Sequence, residues 1–323
     1  MSQSLTVGRA AARPGAHERP AAAGPRRKLQ LALGVLWLLD AMLQFQPFMF
    51  SKGFPQMLAG SAQGNPSMVA RPITWSANYI DHHVVVLNAV FATIQLLLGL
   101  GIAWRPTVKL ALAASVAWAL GVWWFGEGLG GVLAGTASPV NGAPGAVLLY
   151  ALLAILLWPA DRDPGAPFAA GRAVGRRVAR AAWLAVWLGL AFLALLPAAR
   201  APQAISGMIS SMAPGQPAWL AWMDSHAASA LARYGLLASI VLAAVLVIVA
   251  LGICLPARAA REAVVLAIAV AAVLWLAEGL GGILTGSGTD PNTGPLLALL
   301  ALAFWPAARP DAVPPPATSP GGA

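Results

Sequence analysis

Eight apolar runs, at about 29–50, 83–103, 108–126, 144–158, 181–198, 227–254, 262–278 and 293–306, constrain this chain more than anything else in it. A membrane span needs about 20 mainly apolar residues in a helix. Most of the runs approach that length, and charged side chains collect between them. The fourth and eighth are short, and each follows a Gly/Pro-rich stretch that can dip into the membrane. The sequence therefore predicts an all-α polytopic membrane protein with eight transmembrane helices. Composition agrees: 59% of the 323 residues are hydrophobic and 10% are charged, where soluble domains carry about 25% charged residues.

The net charge of +9 would suit a nucleic-acid binder, but the basic residues alternate with the runs instead of forming one face. Arg105 and Lys109 follow the second run, and Arg162, Arg172, Arg176, Arg177 and Arg180 follow the fourth. Arg258 and Arg261 follow the sixth, and Arg309 follows the last. Only Lys52, Arg71 and Arg200 fall on the other side, and Arg233 lies inside the sixth run. The other sixteen of the twenty Lys and Arg obey the positive-inside pattern, which predicts both termini in the cytoplasm of a bacterium and no nucleic-acid partner. Arg26-Arg27-Lys28 before the first run resembles a twin-arginine signal. The first run has a counterpart in mid-chain, where no signal peptide belongs, so it reads as a span.

That counterpart belongs to an internal repeat. Trp123-Trp124-Phe125-Gly126-Glu127-Gly128-Leu129-Gly130-Gly131 recurs 151 residues later as Leu274-Trp275-Leu276-Ala277-Glu278-Gly279-Leu280-Gly281-Gly282. Trp37 and Pro47 match Trp187 and Pro197 at a spacing of 150. Pro139-x-Asn141-Gly142 echoes Pro291-Asn292-Thr293-Gly294. Four runs per half give two repeats of the same orientation. The expected organisation is a basic tail over 1–28, a first four-helix repeat over 29–159 and a basic linker over 160–180. A second repeat over 181–306 and a Pro-rich tail over 307–323 complete it.

Three groups of residues offer chemistry. Glu127 and Glu278 end helices whose C-terminal dipole repels a negative charge, so a cation, a basic side chain or a proton should compensate them. Their Gly-x-Gly-x-Gly-Gly spacing is not a dinucleotide fingerprint, because it follows a membrane helix and not a strand. His82, His83 and His226 follow Trp75 and Trp219 at the outer ends of helices, and Met57 and Met208 lie in the long outer segments. Imidazole and thioether together suit copper. Asp40 sits halfway along the first run, where a carboxylate needs protonation or a partner, and Arg233 is the basic residue deepest in a run; together they suggest a proton relay. The single cysteine, Cys254, excludes an intrachain disulfide framework.

Two classes of function follow. One is an outward-facing cation-binding or transport protein of the inner membrane, with copper first and Glu127, Glu278, His82, His83, His226, Met57 and Met208 as its vestibule. The other is a membrane enzyme or redox subunit acting on a lipid-soluble substrate, with a structural partner in a larger complex as a third role. The repeat also predicts that His82 and His226 are equivalent, with the sixth helix reaching about two turns beyond the second.

Overall fold

The computed structural model describes residues 24–306. The tails beyond them, with His17 and Arg309, lie outside the described residues. Helix α1 spans Pro25–Leu43, with proline in its first turn, where a missing N–H costs nothing. Its start moves the expected end of the basic tail inward by four residues. Helix α2 spans Gly53–Gly60, α3 Ser67–Ala103 and α4 Val108–Phe125. Then come α5 (Ala146–Leu156), α6 (Ala169–Val174) and α7 (Arg176–Ala194). Helices α8 (Pro197–Arg200), α9 (Ala204–Met212), α10 (Ala218–Leu231) and α11 (Gly235–Gly252) follow. Helices α12 (Ala257–Ala277) and α13 (Thr293–Ala303) complete the chain. There is no strand among the described residues.

Five helices are long and apolar enough to cross a membrane: α3, α4 with the turn before it, α7, α11 and α12. Helix α1 has the length, but it opens on Arg26, Arg27 and Lys28. The fourth and eighth runs contain helices of only 11 residues, α5 and α13. At 1.5 Å per residue these rise about 16 Å, half the roughly 30 Å of hydrocarbon. Of the eight expected spans, five reach full length, and the two read as short are short. Two of the eight expected spans are thus half-length helices, each preceded by Gly-rich chain.

The half-length helices form the centre of the molecule. Helix α5 buries Val147, Leu149, Tyr150, Leu153 and Leu156 and leaves Ile155 exposed, and α13 buries Leu296, Leu297, Leu299 and Leu300. A helix apolar all round belongs in a core. They pack against each other, with α4 and α1 around α5 and with α12 and α1 around α13.

At the end of the bundle that carries the basic residues, arginines close the helices. Arg27 donates to the carbonyls of Ile102 (2.8 Å) and Ala103 at the C-terminus of α3. Arg26 pairs with Asp161 at 2.9 Å, and Arg176 pairs with Asp163 at 3.0 Å. Cations suit helix C-termini, where carbonyls lack partners and the dipole is negative.

The two strings of elements run in one register. Helices α2 and α9 begin at residues 53 and 204, and α3 and α10 at 67 and 218, in both cases 151 apart. His83 breaks the helical torsions of α3 (φ −134°, ψ 28°), and Tyr234, again 151 residues on, does the same before α11 (φ −124°, ψ 22°). The expected two-turn extension of the sixth helix is absent. The expected pairing of the histidines goes with it, because this register sets His82 opposite Arg233 and His226 opposite Trp75. The Trp-x6-His spacing had suggested a shift of seven residues that the backbone does not make.

Candidate functional site

The glutamate turns carry the site. After α4 and after α12 the chain makes a short 3-10 turn, over Gly128–Gly131 and Gly279–Gly282. Its second residue is left-handed in both: Leu129 at φ 56° and Leu280 at φ 54°. Left-handed leucines are strained, so neighbouring contacts must hold them. Gly130 lies against the Pro144 backbone and Gly281 against that of Pro291, with no room for a Cβ at either. The glycines let two stretches of backbone touch, and this contact draws each glutamate back over the helix that follows.

The dipole problem posed by Glu127 and Glu278 is solved by that approach. The backbone N–H of Val147, in the first turn of α5, donates to Glu127 Oε1 at 3.4 Å. The hydroxyl of Thr293, the first residue of α13, donates to Glu278 Oε1 at 2.5 Å. Each carboxyl stands at the C-terminus of one helix and the N-terminus of the next, where the positive end of a dipole favours it.

Asp290 joins them. It comes from the loop before α13, and its carboxylate accepts from Thr289 Oγ1 at 2.8 Å and from the Asn292 N–H at 2.7 Å. Its charge acts on Asp40, Glu127 and Glu278 alike. Burial pushes the Glu127 and Asp290 carboxyls above the ordinary range; it also raises Glu278, which alone is pushed up to about 8. Glu127 as a residue keeps some exposure, but its Oε2 has none and no hydrogen-bond partner.

A polar vestibule of about 370 Å³ opens over this group. Glu127, Asn65, Thr136 and Asn141 from the first half and Asp290 and Asn292 from the second line it, and among the described residues no Lys, Arg or His does. Its two rims meet where Gly142 abuts the Asn292 side chain. A second, mostly apolar chamber of about 340 Å³ shares Glu127, Thr289 and Asp290 with the vestibule.

The expected histidines, Met208 and Arg233 are not in the lining of either cavity. His82 and His226 are exposed, and each donates through Nδ1 to the carbonyl four residues back, Asn78 and Trp222. His83 is exposed beside Tyr79, and Met208 is half-buried against the core. Of the expected soft ligands, Met57 lines the apolar chamber. No three His, Cys, Asp or Glu side chains gather to hold a metal among the described residues. Asp40 is buried in the chamber wall, while Arg233 is exposed at the break between α10 and α11 and makes no ion pair with it. The sequence reading missed Asp290. Its signal was the Pro-Asn echo after it, which marks a loop built like the one over Glu127.

These features define a membrane-spanning, all-helical protein with a carboxyl-lined cavity pair at the junction of its two strings of helices. No family model, no curated protein and no solved structure matches the chain.

Proposed function

We propose that this chain is a multi-pass protein of a bacterial inner membrane, built from two repeats of the same orientation. It binds a cation at the carboxyls of an outward-facing vestibule. The proton is the cation that this donor set fits first. One observation carries the reading: Glu127 and Asp290, from different halves, line one polar cavity whose walls hold no basic side chain among the described residues. Buried carboxyls in such a place take up a proton or another cation. The N-termini of α5 and α13 lower the cost of the charged form, so that uptake is reversible. The segregation of Lys and Arg supports the orientation, and the matched turns at Leu129 and Leu280 support the repeat.

The copper form of this reading has less support. It needs sulfur and imidazole beside the glutamates, and only Met57 comes near. Asp40 shares the chamber wall with Glu127 and Asp290, so a relay from Asp40 would run to these acids; Arg233 makes no ion pair with it.

Infrared difference spectra of the purified protein, titrated from pH 5 to 9, test the proposal. A carboxylic C=O band should disappear across that range and be weakened in both Glu127→Gln and Asp290→Asn. Bands unchanged in the variants would remove the carboxyl site. Stoichiometric copper that depends on Met57 and His82 would overturn the proton reading in favour of the metal.

A further inference from the structure

The apolar chamber contains chemistry that the vestibule does not need. Asp40 is 1% exposed, Gln44 4% and Gln95 8%, and all three line it. Gln44 Oε1 and Gln95 Oε1 lack hydrogen-bond partners, as do Glu127 Oε2 at the shared wall and Asp40 Oδ1, whose carboxyl has the Tyr150 hydroxyl as a neighbour but no well-aligned bond to it. One donor in the same wall, Trp118 Nε1, also lacks a partner. Burying a polar atom without a partner is costly, and five around one cavity point to something that satisfies them together.

The architecture does not require these groups. In the 150–151 register their counterparts are Leu190 for Asp40, Ala194 for Gln44, Leu246 for Gln95 and Ala269 for Trp118. The second half packs the same helices with apolar side chains in these places. The polar set is therefore peculiar to one cavity.

The walls specify the rest. Phe91 lies 5.6 Å from Trp118 and 6.5 Å from Phe54 between ring centroids, and Trp37 faces the same space. Aromatic walls suit a flat ring. Two carboxyls and the neighbouring Asp290 repel an anionic head and attract a hydrogen-bond donor. Trp118 Nε1 asks the same head for an acceptor. A glutamine amide can present either its oxygen or its NH2. A hydroxyl on a ring meets both demands. Met57 and Phe125, each 42% exposed, stand at the rim between α2 and α4 and give a route from the lipid.

We infer that this chamber binds a lipid-soluble phenol or hydroquinone, its ring among Phe91, Trp118 and Trp37 and its hydroxyl toward Asp40 and Glu127. The inference goes beyond the vestibule reading and stands without it. The full chain in phosphatidylethanolamine/phosphatidylglycerol nanodiscs should bind 2-decylbenzene-1,4-diol saturably, one per chain, above the partitioning into empty nanodiscs. Decylbenzene and decanoate should bind at least tenfold more weakly. Gln95→Leu and Trp118→Phe should each weaken the diol about fivefold, the equivalent of one net hydrogen bond of about 1 kcal/mol. Asn141→Ala, in the vestibule alone, should leave diol binding unchanged. Because Gln95 and Trp118 lie outside the vestibule, their variants should keep the carboxylic infrared titration, and this separates failure of the two ideas. No saturable binding, equal binding of decylbenzene, or indifference to both variants in folded protein would overturn the assignment.

Discussion

Thr293 donates its hydroxyl to Glu278 inside the protein, where Glu278 is 1% exposed and Oε2 has no partner of its own. The corresponding carboxyl of Glu127 has only a long contact from the Val147 N–H, 3.4 Å. One glutamate is thus sealed and the other borders two cavities. The same turn serves structure in one half and leaves a carboxyl available in the other.

The sealed glutamate predicts a pH effect on stability. Burial holds Glu278 up at about 8, against an ordinary value of 4.5. A raised carboxyl stabilises the fold fully below the unfolded value, and the contribution is lost as pH rises through the folded one. Thermal unfolding in detergent should therefore fall from pH 4.5 to 8 and then level. Glu278→Gln, neutral throughout, should flatten that decline. A variant whose melting temperature tracks the wild type across the window would show that Glu278 is not the group responsible.

Gly145 tests the other glutamate. It sits at φ 107°, and a Cβ there would run into Glu127 Oε2. Gly175 has a similar φ of 91° but open space around it. Gly175→Ala should cost only the backbone strain of the left-handed region. Gly145→Ala should cost that plus overpacking of about 1–3 kcal/mol, and it should alter the Glu127 infrared band. Equal destabilisation by the two alanines would mean that the carboxyl can move aside.

The sequence shows well what the backbone does and poorly what meets across it. Every apolar run contains a helix, and the repeated Glu-Gly-Leu-Gly-Gly forms the same left-handed turn twice, because local glycine pattern and hydrophobic length determine both. The half-depth of α5 and α13 was hinted at by short runs after Gly/Pro-rich chain. The histidine register was misread because Trp-x6-His is a coincidence of two residue types, whereas the break at His83 and Tyr234 is a backbone event with no residue signature. Asp290 was passed over because an aspartate in a Thr/Gly/Pro loop looks solvated. Its role comes from the fold carrying that loop across to Glu127, a contact between halves that no spacing records.

Trp37 and Trp187 occupy matched positions and are both fully buried, but their indoles differ in one bond. Trp37 Nε1 donates to Ser115 Oγ at 2.9 Å, while Trp187 Nε1 has no partner. Trp37→Phe should destabilise by about 1 kcal/mol more than Trp187→Phe, through the lost bond and the stranded serine. Ser115→Ala should remove most of the difference between the two tryptophan variants. Chemical denaturation in a mild detergent would measure all three, and an equal cost for the two phenylalanines would deny the bond any role.

Cys254 makes the orientation testable without altering the protein. It is the single cysteine of the chain, it is exposed, and it follows the end of α11, two residues before Pro256 opens the way to Arg258 and Arg261. In the orientation proposed above from the segregation of Lys and Arg, that end of the bundle lies in the cytoplasm and the vestibule is external. A membrane-impermeant maleimide should leave Cys254 unlabelled in intact spheroplasts and label it in inside-out vesicles. In a Cys254→Ala background, Gln63→Cys at the vestibule wall should show the opposite pattern. Labelling of Cys254 in intact spheroplasts, with Gln63→Cys protected, would invert the protein. The carboxyls would then face the cytoplasm, and the uptake proposed for Glu127 and Asp290 would run from the other side of the membrane.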